Sequence, residues 1–297
     1  MTGPARQGAR TRDRHIRDQH IQDQRSGDPR TEELSANLRT VHERIEAACD
    51  AGGRDPAAIT LVVVTKTFPA ADVLRLRSLG VADIGENRDQ EAAAKRAEVQ
   101  RAGVCRAGSH PAVDPPAIDQ PLLGAPPVGR GQEAESQDGP ALRWHAIGHI
   151  QRNKAKSVVR WADVVHTVDS IRLADALTKA VAAAARADPL RCLIQVSLDG
   201  DPARGGIPAG QMLQLADHLA DCPGLQLGGV MAVAPRGADP DRAFAALARQ
   251  SARLQESHRA ATDISAGMSG DLDAAVRHGS TCLRVGGAIL GNRPLNP

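Results

Sequence analysis

Apolar residues recur along this chain with two different spacings. The run at 59–65 holds five apolar residues in its first six positions, four of them β-branched, which predicts a strand buried on both faces. Upstream, apolar residues recur every three or four positions, which predicts a helix that begins after Asp28 or Thr31 and ends at Gly52 and Gly53. These helical positions are Leu34, Leu38, Val41, Ile45 and Ala48.

The two spacings then alternate. Further strands are predicted at 81–84, 144–147, 163–167, 191–198, 227–233, 262–266 and 281–285. Helices are predicted at about 70–79, 88–101, 150–161, 170–187, 208–221, 240–257 and 271–279. Eight strands alternating with helices over about 240 residues predict an α/β fold, a single (β/α)8 TIM barrel. The alternative is a doubly wound open sheet, but no Gly-x-Gly-x-x-Gly turn follows the first strand.

Two segments interrupt the alternation. Residues 1–30 carry seven arginines and very few apolar side chains, which predicts a disordered tail. The tail has no apolar stretch, whereas a secretory signal requires one. Residues at about 102–141 are rich in Pro, Gly, Ser and Gln and predict a flexible insertion. The barrel domain is therefore expected to span 31–297.

Composition narrows the classes of function. The net charge is only +2 and the chain has two Trp, two Phe and no Tyr, so neither a basic surface nor a stacking platform for nucleic acid is expected. No apolar run reaches the length of a membrane span. The five cysteines form no close pairs, which favours free thiols in a reducing cytoplasm over a disulfide framework or a zinc site.

Lys66 stands directly after the first predicted strand. Because a charge is costly inside a buried strand, Lys66 is expected at its carboxyl end, where ligands bind in α/β barrels. A lysine in this place can bind an anion, cap a helix, form a Schiff base with an aldehyde, or simply face solvent.

A second group of residues points to a phosphate. Ser269 follows the seventh predicted strand, and Gly286 and Gly287 follow the eighth. The loops after these two strands often bind phosphate in barrels, because glycine lets backbone N–H groups approach the anion. Arg284 lies at the end of the eighth strand and is expected to project into the same mouth. A phosphate site opposite Lys66 suggests pyridoxal 5′-phosphate (PLP), which carries an aldehyde and a phosphate.

Six segments give the chain a family resemblance. They are Val-Val-Thr-Lys-Thr at 63–67, Ile-Gly-Glu-Asn at 84–87, Trp-His-Ala-Ile-Gly-His-Ile-Gln-Arg-Asn-Lys at 144–154, Gly-Val-Met-Ala-Val at 229–233, Gly-Met-Ser-Gly-Asp at 267–271, and Arg-Val-Gly-Gly-Ala-Ile-Leu-Gly at 284–291. In these the chain resembles the pyridoxal phosphate homeostasis protein family, single-domain relatives of alanine racemase. The string at 144–154 is the most specific of the six.

The resemblance implies a fold-type III PLP barrel similar to the alanine racemase N-terminal domain. Lys66 then matches the Schiff-base lysine, so the cofactor would be covalently held there. Ser269, Gly286 and Gly287 match the phosphate site. Arg284 matches the arginine that faces the pyridine nitrogen.

The resemblance assigns four further residues to the pocket. Asn87 and Met231 match residues that line it. His149 and Asn153 belong to the motif after the third strand and are expected to support it.

The chain departs from the family pattern at four places. Arg88 replaces an aromatic residue, residues 204–206 replace a Lys-x-Gly, and Leu290 replaces a phenylalanine. Gly287 stands where a hydroxyl residue is usual, which removes one phosphate hydrogen bond worth about 1 kcal/mol.

Three functions fit the resemblance. The first, which we favour, is a non-catalytic protein that binds PLP reversibly, maintains its intracellular level and passes it to PLP-dependent apoenzymes. The second is a PLP-dependent racemase or lyase. Racemisation by proton transfer needs a base on each face of the substrate; the chain has no tyrosine, and we expect no second domain after Pro297, although His149 or a cysteine could replace the missing base. The third, a barrel without cofactor, is disfavoured by Lys66, Ser269 and Arg284. The family also implies a cytoplasmic monomer or weak dimer.

Overall fold

The protein forms a closed barrel of parallel strands surrounded by helices. The computed structural model describes residues 28–106 and 139–292. Most of the predicted tail and insertion lie outside these ranges.

Eight parallel strands close the barrel in the order β1, β2, β3, β4, β5, β7, β8, β9 and back to β1. A ninth strand, β6, has two residues and pairs with β5 alone among the described strands. The strands are β1 (Thr60–Val64), β2 (Asp83–Glu86), β3 (Arg143–Ala146), β4 (Val164–Val168), β5 (Leu190–Ser197), β6 (Ile207–Pro208), β7 (Leu225–Met231), β8 (Asp263–Ser265) and β9 (Cys282–Val285).

Helices lie between the strands on the outside of the barrel. They are α1 (Pro29–Gly52), α2 (Ala70–Ser78), α3 (Asp89–Arg106), α4 (Ala155–Trp161), α5 (Ile171–Ala184), α6 (Met212–Ala220), α7 (Pro240–Ser257), α8 (Leu272–Arg277) and α9 (Gly287–Leu290). No helix within 28–106 or 139–292 is long and apolar enough to cross a membrane.

The predicted barrel is confirmed, with all eight predicted strands in place. Three helices differ from the prediction by four or more residues at one end. The helix expected at 208–221 starts at Met212, because β6 and a short 3₁₀ turn (Ala209–Gln211) come before it. The helix expected at 150–161 starts later, because a short 3₁₀ turn (Arg152–Lys154) comes before α4. The helix expected at 88–101 continues to Arg106 and so enters the start of the predicted insertion.

The first helix is fixed at both ends. Asp28, one of the two predicted caps, accepts a hydrogen bond from the backbone of Arg30, and Pro29 occupies the first turn. Gly53 ends the helix with a φ of 61°, a left-handed conformation that glycine adopts at low cost. Arg30 also forms an ion pair of 2.9 Å with Asp72 of α2. The last three residues of the predicted tail therefore belong to the barrel domain.

The barrel has an apolar outer layer and a partly polar interior. Leu34, Leu76, Leu177 and Leu215 are fully buried between the helices and the strands. Inside the barrel, Val164, Leu193 and Met231 form a separate small apolar cluster. The strands β2, β3, β4, β8 and β9 also carry buried polar residues, which are Asp83, His145, His166, Ser265 and Arg284. Barrel interiors are usually filled by branched apolar side chains, so this polar content is unusual.

The cysteines with described side chains are all free, as their spacing predicted, and the structure shows that they are also buried. They are Cys49, Cys192, Cys222 and Cys282. Burial raises the pKa of Cys192 and of Cys282 to about 12, so both thiols stay protonated at neutral pH.

Candidate functional site

A cavity of about 420 Å³ opens at the carboxyl ends of the strands. Six of the seven predicted site residues line it: Lys66, Asn87, Ser269, Arg284, Gly286 and Gly287. The structure does not bring the seventh, Met231, to this cavity. It is the last residue of β7, and its side chain is buried against Val164 and Leu193 inside the barrel.

Lys66 lies in the turn that follows β1 and is half-buried. The turn is closed by a 3.0 Å hydrogen bond from the Phe68 backbone to the Thr65 carbonyl. Thr67 has a φ of 70°, which is uncommon for a β-branched residue. The Thr67 N–H donates to Glu91 Oε1 at 2.5 Å, and this bond from α3 stabilises the strained residue.

A buried ionic network holds the strand end that carries Lys66. Lys95 Nζ donates to the Thr65 carbonyl at 2.8 Å, to Glu86 Oε1 at 2.6 Å and to Glu91 Oε1 at 3.2 Å. Thr65 Oγ1 also donates to Glu86 Oε1 at 2.6 Å. Residues on both sides of Lys66 are thus bound to this network, called here the lysine-side network: Thr65, Glu86, Glu91 and Lys95.

Glu86 is a buried carboxylate of the lysine-side network with only one of its two oxygens hydrogen-bonded to described residues. Its side chain is fully buried, and its Oε2 has no hydrogen-bond partner among the described residues. Burial raises the pKa of Glu86, although the neighbouring Lys95 ammonium opposes this shift. The sequence motif had pointed to Glu86 only as a neighbour of Asn87, and it did not indicate Lys95. The signal available was a lysine four residues after Glu91 on a helix.

A close backbone approach shapes the wall next to Asn87. A Cβ on Gly148 would lie 2.2 Å from the Asn87 carbonyl oxygen, so no other residue fits there without a shift. Thr167 Oγ1 donates to the Gly148 carbonyl at 2.8 Å and fixes the loop after β3. Close packing against Asn87 therefore explains why the 144–154 string has a glycine at this position.

Loops after β8 and β9 form another wall of the cavity. Asp271 accepts a 2.6 Å hydrogen bond from the Met268 backbone, and Arg44 Nη1 donates to the Ser269 carbonyl at 2.5 Å. A Cβ on Gly270 or Gly287 would meet no atom within 4 Å, so both backbones face open space. Gly287 begins α9, and N–H groups in a first helical turn have no partner within the helix. These donors and Ser269 can bind an anion.

Arg284 lines the same cavity but is buried. Its Nη2 donates to the Ala232 carbonyl at 2.9 Å, and its Nη1 donates to Ser265 Oγ. No carboxylate in the described part of the chain forms an ion pair with it. Burial accordingly lowers the pKa of Arg284, although a guanidinium stays protonated at neutral pH.

Hydrogen bonds continue from Arg284 through the barrel interior. Ser265 Oγ lies 2.9 Å from His166 Nδ1, and His166 Nε2 lies 2.8 Å from His145 Nδ1. His145 Nε2 lies 2.8 Å from Asp83 Oδ1. We call Ser265, His166, His145 and Asp83 the Arg284 hydrogen-bond chain. Burial, then the proximity of His145 and Arg284, holds the pKa of His166 well below its ordinary value.

The sequence did not indicate the Arg284 hydrogen-bond chain. Asp83, His145, His166 and Ser265 were each part of a predicted strand but were assigned no role. The signal available was a polar residue inside each of four predicted strands, but a strand pattern does not show which of these side chains meet.

His149 and Asn153 do not line the Lys66 cavity. Both are exposed, and His149 Nδ1 lies 3.6 Å from Asp169. His149 faces a neighbouring cavity of about 490 Å³ instead. Among the described residues, no histidine or cysteine lines the Lys66 cavity.

The four departures from the family pattern have separate environments. Arg204 Nη2 donates to the carbonyls of Val233 and Ala234, at 3.0 and 2.7 Å, and so supports the cavity rim. Arg88 is exposed beside the neighbouring cavity, and Leu290 is buried. Gly287 leaves open space where a hydroxyl would stand.

Comparison with known proteins agrees with this geometry. The family described as alanine racemase, N-terminal domain, matches residues 31–294. The pyridoxal phosphate homeostasis protein of Mycobacterium tuberculosis is 41% identical over 273 residues, covering 90% of this chain and 95% of that protein. The protein of the same name in Escherichia coli is 31% identical over 265 residues, covering 88% and 97%.

Solved structures give the same fold. PipY of Synechococcus elongatus, in a structure with PLP bound, has a TM-score of 0.64 and 27% identity, covering 87% of this chain and all of that one. Alanine racemase of Corynebacterium glutamicum has a TM-score of 0.58 at 14% identity, and the match covers 60% of that chain. The latter likeness shows the barrel fold alone.

Proposed function

This chain belongs to the pyridoxal phosphate homeostasis protein family, and on that premise we propose that it binds PLP reversibly through a Schiff base at Lys66. One observation carries the proposal. The fold brings Lys66, Arg284, Ser269 and the Gly286–Gly287 backbone to the same cavity of about 420 Å³.

The residues present fit this cofactor. When bound, PLP would supply an aldehyde that condenses with a lysine amine and loses one water. Hydrolysis reverses this reaction, so PLP binding would be reversible. Lys66 stands on the β1 side of the cavity, and the donors suited to a phosphate stand on the β8 and β9 side. The open space at Gly270 and Gly287 leaves the backbone there accessible to an anion.

Arg284 makes the site more suitable for holding the cofactor than for demanding chemistry. A guanidinium only donates hydrogen bonds, so a ring nitrogen that faces it accepts and stays unprotonated. An unprotonated ring is a weaker electron sink.

A carrier role also agrees with the lining of the cavity. Racemisation needs a second base opposite Lys66. His149 and the described cysteines, which could have replaced the missing tyrosine, lie elsewhere in the structure. We therefore propose that the protein is non-catalytic, acts in the cytoplasm as a monomer or weak dimer, and passes PLP to PLP-dependent apoenzymes.

Replacement of one lysine tests the proposal. Lys66→Ala should lose the absorbance band of the Schiff base after dialysis, whereas Lys156→Ala, at an exposed position of α4, should keep it. An assay of amino-acid racemisation and cleavage with the loaded wild-type protein should show no turnover above free PLP. A band that survives in Lys66→Ala, or clear turnover, would overturn the corresponding part of the proposal.

A further inference from the structure

The Arg284 hydrogen-bond chain connects the Lys66 cavity with the other end of the barrel. A separate cavity of about 390 Å³ opens at the amino ends of the strands, and His145 and His166 line it together with Arg143. The chain of hydrogen bonds therefore reaches from Arg284 at one end of the barrel to Asp83 near the other.

The two ends of the chain fix its direction. Asp83 is ion-paired with Arg143 at 2.8 Å, and an ionised carboxylate only accepts hydrogen bonds. His145 must therefore donate from Nε2 to Asp83, which leaves Nδ1 of neutral His145 as an acceptor. By the same logic His166 donates from Nε2 to His145, and its Nδ1 accepts the hydroxyl proton of Ser265.

This arrangement leaves the Ser265 oxygen lone pairs for Arg284. Arg284 is donor-only, so its Nη1 bond to Ser265 Oγ agrees with the direction set from Asp83. Five buried groups thus form one consistent chain, with one proton in each link. Reversing either histidine would turn the Nδ1–H of His166 toward Ser265 Oγ. The serine oxygen would then receive two donors, and its own proton would turn elsewhere, for example to the neighbouring Cys282 sulfur.

We propose that Ser265, His166, His145 and Asp83 are positioning residues that fix the orientation of Arg284 toward the bound cofactor. This inference rests on the proposed function. Asp83 touches neither Arg284 nor the Lys66 cavity, and it acts by selecting the histidine tautomers. The chain holds a buried guanidinium in one orientation without placing a carboxylate next to it, and such a carboxylate would weaken its donation to the ring nitrogen.

The groups that face the histidines support one protonation state. Arg143 is paired with Asp83, and Arg191 is paired with Asp263 at 2.6 Å. The other neighbours are Cys282 and Arg284. Both arginine charges at the far cavity are compensated there, and Arg284 opposes a further positive charge on His166. These surroundings therefore favour a neutral His166.

The test compares serine variants in the full chain loaded with PLP. Ser265→Ala should shift the absorbance maximum and the pH titration of the Schiff-base band, and should release PLP about tenfold faster, because Arg284 loses a charged hydrogen bond. Ser265→Thr keeps the hydroxyl and should restore both properties. Ser280→Ala removes another buried hydroxyl, bonded to the Ala266 carbonyl at 2.8 Å and outside the chain, so it controls for loss of stability. Asp83→Asn should resemble Ser265→Ala.

The outcomes separate the two proposals. If the wild-type protein shows no Schiff-base band, the proposed function fails. If the band is present but unchanged in Ser265→Ala and Asp83→Asn, or shifts equally in Ser280→Ala, the positioning role is wrong.

A second measurement needs no cofactor. Nitrogen NMR of the unloaded wild-type protein should show both His145 and His166 as neutral Nε2–H tautomers at neutral pH. A protonated Nδ1 on either ring would overturn the inference, even if the variants do not fold.

Discussion

The two cationic side chains of the cavity, Lys66 and Arg284, are supported by contrasting surroundings. The turn that carries Lys66 is held by charges in direct contact, since Lys95 lies 2.6 Å from Glu86 and 3.2 Å from Glu91. Arg284 is held by neutral groups, and the nearest carboxylate of its chain is Asp83, four hydrogen bonds away.

The difference shows two ways to place a cation at the mouth of a barrel. On the lysine side, a buried ion pair fixes the backbone of the turn that carries Lys66. On the arginine side, a chain of oriented hydrogen bonds fixes the side chain itself. A buried ion pair is costly to break, whereas a neutral chain is sensitive to the direction of each hydrogen bond.

The largest effect should come from breaking the ion pair. Lys95→Met removes the ammonium and leaves the Glu86 carboxyl buried without its partner, which should lower the free energy of unfolding by about 3–5 kcal/mol. Urea unfolding at neutral pH measures this. Lys179→Met, at an exposed position of α5, should change it by less than about 0.5 kcal/mol. Equal losses in both variants would mean that the lysine-side network does not stabilise the fold.

The pH dependence of stability should separate the two sides by sign. The pKa of Glu86 is raised above 4.5, so the folded state holds this proton more tightly than the unfolded chain. The contribution of Glu86 to stability therefore falls as the pH rises from 4.5 to the higher, folded-state pKa. Burial also opposes ionisation of Asp83, but its bonds from His145 and Arg143 outweigh burial and lower its pKa below 3.8. Its contribution is therefore present above 3.8 and lost as pH falls through the lower, folded-state value.

Two variants measure these contributions by urea unfolding across the acidic range. Glu86→Gln should remove the decline above pH 4.5, and Asp83→Asn should remove the loss below pH 3.8, each with a slope of at most about 1.4 kcal/mol per pH unit. Slopes that change in the same direction in both variants would contradict the comparison.

The smallest effect concerns the phosphate wall between the two sides. Gly287→Ser adds a hydroxyl in open space, and one new hydrogen bond of about 1 kcal/mol should tighten PLP binding about fivefold. Gly287→Ala adds the same Cβ without the hydroxyl and should leave the affinity close to that of the wild type. Equal affinity of the serine and alanine variants would show that the phosphate does not reach this position.

The fold was predictable because every barrel strand carries its own local signal. Lys66 and Arg284 were predictable because each follows or ends an apolar strand, which places it at the mouth. Met231 was misplaced because an apolar residue at a strand end can face either the cavity or the barrel interior, and register decides between them.

The supporting contacts were not predictable from local pattern. The hydrogen bonds between Lys95 and Thr65 and between Ser265 and His166 join residues 30 and 99 positions apart. They depend on which side chains several strands place opposite each other after the barrel closes.

Borohydride reduction of the PLP-loaded protein followed by peptide mapping identifies the lysine that holds the cofactor. We expect a phosphopyridoxyl group on the peptide that contains Lys66, with the Schiff-base band lost on reduction. A label on another lysine, or no label after PLP is added, would show that Lys66 does not hold PLP.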